Sequence, residues 1–191
     1  MKLFHLSTYR FYSPDFFASH KKLEDPFKIM IVSDLHFSYQ VSDRKLQSIV
    51  KQVELINPAY LLFPGDLIDT LDMVDKSSER KRLLDFLAAL GQITTVILSI
   101  GNHDMYRKPK ANQSGWQYEK ATILFDQIRS LQNVHLLDNQ IYEDDNIYCL
   151  GYTQSPDYYE KKEGKSENLT VMLDELANLP EKYLYHLRNK Q

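Results

Sequence analysis

Three short apolar runs in this chain each break off into a cluster of metal-ligating side chains, and the segments between them carry helical spacing. Few architectures other than a parallel α/β sheet accommodate that alternation. Residues 27–32 lead into Asp34-x-His36, residues 60–63 into Gly65-Asp66-x-x-Asp69, and residues 94–100 into Gly101-Asn102-His103-Asp104. In an open α/β sheet the turns at the carboxyl ends of the strands project side chains into one crevice, so three such turns define a single candidate site.

The connecting segments support this reading. Ser42 or Asp43 caps a helix with Leu46, Ile49, Val50, Val53 and Ile56 at helical spacing, and Asn57-Pro58 stops it. With the run at 60–63 this completes a β-α-β unit, which is right-handed in nearly all cases. Ser77 and Ser78 precede a second helix carrying Leu83, Leu84, Phe86, Leu87 and Leu90, with Gly91 expected at C′. Residues 116–131 read as a third helix with Ile123, Leu124, Phe125, Ile128 and Leu131 inward. Short strands are expected at 134–137, 141–143 and 147–150, adding antiparallel pairing or a second sheet. Residues 9–13 read as an edge strand, 156–165 as a polar loop, and 166–178 and 181–191 as helices.

The whole reads as one domain over 1–191, with an N-terminal edge segment (1–26), a core carrying the motifs (27–151), and a loop with C-terminal helices (152–191). A net charge of -3 and a pI near 6.1 argue against a protein built for polyanions, so nucleic acid is not the expected partner. The single cysteine, Cys149, excludes an internal disulfide and reads as core filler. No apolar stretch approaches the roughly 20 residues that span a bilayer. The expectation is a soluble, untargeted, cytoplasmic chain with no membrane partner, its oligomeric state left open.

Carboxylate, imidazole and carboxamide donors together suit two hard or borderline divalent cations such as Mn, Fe or Zn. Asp34 and His36 flank one residue and can aim at a common point. Asp66 supplies a carboxylate able to bridge two ions roughly 3.5–4 Å apart, and Asn102 a neutral oxygen. Such a site polarises a phosphoryl oxygen and brings the pKa of water down to about 7. His103 points away from Asn102, toward the phosphate or leaving group, as a general acid that Asp104 holds in one tautomer. Asp69 reads as a group that supports the ligands from behind or as a loop hydrogen-bond acceptor, rather than as a ligand itself. The plainer alternative is turn chemistry, because Asp, Asn and Gly populate turns everywhere, but three turns would each need the same accident.

In this order and spacing the clusters resemble the calcineurin-like metallophosphoesterase family, closely over 27–104 and loosely through Leu150-Gly151. The resemblance implies a sandwich of two β-sheets flanked by helices, with Asp34, His36, Asp66 and Asn102 as metal ligands and His103 as catalytic histidine assisted by Asp104. Thr70-Leu71 after the second cluster and Asp104 ending the third are unlike protein Ser/Thr phosphatases, and Asp69 stands where purple acid phosphatases carry Tyr. The generic bacterial phosphohydrolases are more similar.

Family members add a further His at a strand end and a Gly-His-x-His segment downstream. After Asp104 this chain has only His135 and His186, neither in that context. The resemblance therefore implies an incomplete second half, three missing imidazoles, and partial or no metal occupancy in this polypeptide. The expected function is hydrolysis of a small phosphoester through two divalent metals, with this chain weakly active or inactive. The alternative is a catalytically silent interaction module on the same fold.

Overall fold

The computed structural model of the chain describes residues 27–105 and 118–154. Four parallel strands form the main sheet in sequential order: β1 (Ile29–Ile31), β2 (Tyr60–Phe63), β3 (Thr95–Ser99) and β4 (Val134–Leu137). The register sets Met30, Leu61, Val96 and Val134 side by side in one row. Sequential order combined with right-handed crossovers puts every crossover helix on the same face. Accordingly α1 (Asp43–Ile56), α3 (Ser77–Gly91) and α4 (Tyr118–Arg129) share one core with that row, including Leu46, Val53, Leu83, Leu87, Phe125 and Ile128.

The opposite face, with Tyr60, Ile97 and Leu137, is covered by an antiparallel hairpin of β5 (Gln140–Glu143) and β6 (Tyr148–Gly151), which lays Tyr142, Ile147 and Cys149 against it. Two sheets with helices on one side make a mixed α/β sandwich, as expected of the metallophosphoesterase fold. Cys149 is half-buried in this smaller core. At the sheet edge Ile29 and Ile31 of β1 stay exposed.

Local signals explain most boundaries. Ser42 caps α1 by accepting from Lys45 N, and Asn57 ends it in the left-handed region (φ 47°), its N–H donating to Val53 O at 2.8 Å. Thr94 Oγ1 donates to Pro58 O at 2.8 Å, which ties the α1–β2 connection to the start of β3. A short helix α2 (Leu71–Val74), unforeseen in the sequence, fills the loop before α3.

Two expectations are corrected. Gly91 is the last residue of α3 rather than its C′, since the following Gln92 is right-handed. Glycine is required there by packing, because a Cβ would overlap Gln132 O. In α4, Ile123 is 64% exposed, because three adjacent apolar residues cannot all face inward on a helix. Trp116 and the segments 1–26 and 155–191 lie outside the described residues.

Candidate metal centre

Parallel pairing continues beyond β1 and β2 into the turns that carry the first two clusters. His36 N donates to Asp66 O at 3.1 Å, Phe37 N to Leu67 O at 2.8 Å, and Asp69 N to Phe37 O at 3.1 Å. Leu35 and Phe37, both buried, anchor the chain on either side of His36. Fully burying a side chain such as Phe37 is worth about 1.5–3 kcal/mol. That anchorage holds a costly backbone: Asp34 (φ 53°), His36 (φ 44°) and Asp66 (φ 51°) are all left-handed, a conformation costing about 1–2 kcal/mol for a non-glycine residue.

The third turn nests on the second through glycine. A Cβ on Gly65 would come within 3.0 Å of Gly101 Cα, and one on Gly101 would overlap both Asp66 Oδ1 and the Asp66 main-chain nitrogen. Asp66 Oδ1 also accepts from His103 N at 3.1 Å, at the start of a single 3₁₀ turn, His103–Met105. The turns after β1, β2 and β3 thus bring one donor atom each from His36, Asp66 and His103 to within 4.8 Å of one another.

The remaining candidates cluster around these three. Asp34, whose side chain accepts from Ser33 Oγ, has Oδ1 3.9 Å from His36 Nε2. Asn102 lines a cavity of about 220 Å³ with Asp34 and Asp66. Tyr152 and Gln154, which sequence reasoning did not single out, wall the same cavity; their only sequence signal was their position just after β6. On the other side a cleft of about 660 Å³ opens from Asp34, His36 and Asp69.

The two imidazoles meet edge to face, ring centroids 4.6 Å apart. His103 Nδ1 lies 2.7 Å from the Asp69 carbonyl oxygen. A carbonyl only accepts, so Nδ1 carries the proton in this contact and Nε2 keeps its lone pair. The Asp69 carboxylate sits 3.9 Å from both His36 Nδ1 and His103 Nδ1.

Asp104 takes a different place from the one expected. Its carboxylate faces the protein, accepting from Ile68 N at 2.9 Å and Gly101 N at 2.8 Å, and so brackets the second turn to the third. The orienting contact on the His103 ring comes from Asp69. Burial pushes the Asp104 carboxyl up to about 7, against the opposing pull of the backbone N–H donors of Ile68, Gly101 and Asp66.

Whether these residues suit a cation can be judged from their state without one. His36 Nδ1 is shielded from solvent and has no hydrogen-bond partner, an arrangement costly for a polar atom that serves no ligand. Imidazole and carboxylate donors converge on one point, the donor set that borderline divalent ions prefer. The residues fit such ions.

A crevice of carboxylate and imidazole donors at the carboxyl edge of a parallel sheet, in a two-sheet α/β sandwich, is the arrangement of a metallohydrolase. The profile of the calcineurin-like phosphoesterases matches residues 27–185, and the chain belongs to that family. It is 33% identical over 92 residues to a transmembrane protein with metallophosphoesterase domain from Danio rerio, a match covering 47% of this chain and 18% of that protein. The chain therefore spans less than a fifth of that relative.

Among solved structures it is similar to a phosphopantetheinyl hydrolase from Mycobacterium tuberculosis (TM-score 0.44, 14% identity, 80% of this chain and 52% of that one). It is also similar to a nuclease from Pseudomonas putida (TM-score 0.35, 13% identity, 62% and 50%). Among the described residues no helix is long and apolar enough to cross a membrane.

Proposed function

We propose that this chain is a metal-dependent phosphoester hydrolase acting on small phosphoesters, with a site for two divalent cations. Asp34, His36, Asp66 and Asn102 would hold them, Asp66 from the centre of the group. Mn, Fe or Zn bound there would polarise a phosphoryl oxygen and lower the pKa of water for in-line attack. The observation that carries the reading is the convergence of His36, Asp66 and His103 from three successive strand-end turns.

The chain's own residues set the rest. Asp69 O holds the His103 ring with Nδ1 protonated, so Nε2 is the atom that takes up a proton and passes it to the leaving oxygen. Asp66 Oδ1, bonded to His103 N, keeps that ring in register with the ligand turn. Asp104 is a positioning residue here, since its carboxylate fixes two turns and touches neither ring nitrogen.

Among the described residues four donors are few for two ions that each take four to six ligands, so weak metal binding and slow turnover are expected of these donors alone. A lone cysteine and an acidic balance suit action on small esters in a reducing cytoplasm.

The test is hydrolysis of p-nitrophenyl phosphate and its bis-ester with added manganese. Asp66→Ala should lower the rate by at least about a hundredfold, as loss of a metal-site residue commonly does. Rates equal in the two proteins, or no hydrolysis above a chelated control, would favour the silent interaction module.

A further inference from the structure

The cleft of about 660 Å³ is lined by Asp34, His36 and Asp69 and also by Lys45, in the first turn of α1, and Lys76, which precedes α3. That volume lies within the range of small-molecule sites. The charges along it sort by position. Asp34 and Asp69 belong to the metal end. Glu79 is compensated, because Arg82 Nη1 donates to it at 2.9 Å. The remaining charged lining is two lysines and one carboxylate, Asp72.

The two lysines differ from the other cations nearby. Arg82 is spent on Asp43, Glu79 and Val41 O, and Lys81 on Asp85 at 2.6 Å. Lys45 is half-buried, and no carboxylate among the described residues pairs with it. Lys76 Nζ lies over the Tyr39 ring, 5.8 Å from its centroid, a contact that leaves its charge in place. Two lysines lining one cleft, neither paired with a carboxylate among the described residues, give it a positive contribution that an anionic ligand would meet.

We infer that the cleft is a second anion subsite, in which Lys45 and Lys76 receive a phosphate group on the leaving portion of the substrate. Resting on the hydrolase reading above, this narrows the substrate class to organic bisphosphates, one phosphate at the His36–Asp66–His103 end and the other at the lysines. A phosphate fits better than a carboxylate there, since its second charge matches the second ammonium.

The test compares adenosine 3′,5′-bisphosphate with adenosine 5′-monophosphate by calorimetric titration of the full chain in manganese. The ratio of the two affinities cancels what the ring contributes. The wild type should prefer the bisphosphate by about fivefold to tenfold, the size of two partly exposed charge contacts, and the preference should shrink with added salt. In Lys45→Gln/Lys76→Gln the ratio should fall to near one, while Lys45→Arg/Lys76→Arg should retain it.

An equal affinity for both nucleotides in the wild type, binding of neither, or a preference that survives the glutamine pair would each overturn the subsite. The hydrolase reading fails separately, through p-nitrophenyl phosphate turnover that is indifferent to Asp66→Ala. A lysine-dependent preference in a chain with no turnover would leave the subsite standing without the enzyme.

Discussion

The two ends of the main sheet treat polar groups in opposite ways. At the amino edge, Asp144 in the β5–β6 turn is surrounded by protein donors: Tyr60 Oη at 2.7 Å, Tyr142 Oη at 2.8 Å, Asn146 N at 2.8 Å and Ile147 N at 3.0 Å. Burial alone would raise its pKa, but these donors hold it below the ordinary carboxylate range. The same cluster pushes Tyr142 up to about 12, burial first and the Asp144 hydrogen bond second. At the carboxyl edge His36 Nδ1 has no hydrogen-bond partner, and the buried carboxyl of Asp104 is pushed up rather than down.

The backbone draws the same line. Left-handed residues leading into the amino edge are asparagines, Asn57 and Asn133, which tolerate that conformation. Those at the carboxyl edge are Asp34, His36, Asp66 and Asn139. Asp shares the tolerance of Asn, so His36 is the residue held there at a conformational cost, between the buried anchors Leu35 and Phe37.

Substitutions can break this contrast or sharpen it. The largest effect on the fold is expected from Gly101→Ala, whose Cβ would overlap Asp66; it should cost about 1–3 kcal/mol of stability by overpacking and also abolish manganese binding. Both losses should appear in one sample by denaturation and titration, and a variant that kept both would show that the turns are looser than described. At the amino edge Tyr60→Phe should cost about 1 kcal/mol, the worth of one hydrogen bond, and leave metal binding untouched. A change in manganese affinity there would mean the two ends are coupled.

Acid should reveal the same end. Because Asp144 has a lowered pKa in the folded chain, its contribution is complete above the ordinary value of 3.8 and is lost as pH falls through the folded value. Stability against urea should therefore decline below that point, and Asp144→Asn should flatten the acid limb. The smallest effect is the most telling in sign: Asp34→Gly should raise stability by about 0.5–1 kcal/mol, relieving a left-handed residue, while weakening the metal site. A loss of stability in chelator would contradict the strain argument.

Much of this was legible in the sequence because its causes are local. Apolar runs of four to seven residues followed by Ser-Asp, Gly-Asp or Gly-Asn give the strand-end turns, and Asn57-Pro58 bounds α1, with Ser42 rather than Asp43 as its cap. What was not legible depends on tertiary partners. Asp104 beside His103 reads as its orienter, yet the groups it binds are main-chain N–H of Ile68 and Gly101, which leave no trace in residue type. Gly91 reads as a stop signal, whereas its reason is Gln132 across the packing interface. Tyr152 and Gln154 reach the site only because β6 runs back to the same edge.

The central claim, that three strand-end turns converge to hold a divalent cation, is tested most directly by calorimetric titration of manganese into the full chain and its His36→Ala, Asp66→Ala and Asp144→Ala variants. The account predicts affinity lowered at least about tenfold to a hundredfold in the first two and unchanged in the third. Equal affinities in all four proteins would contradict it.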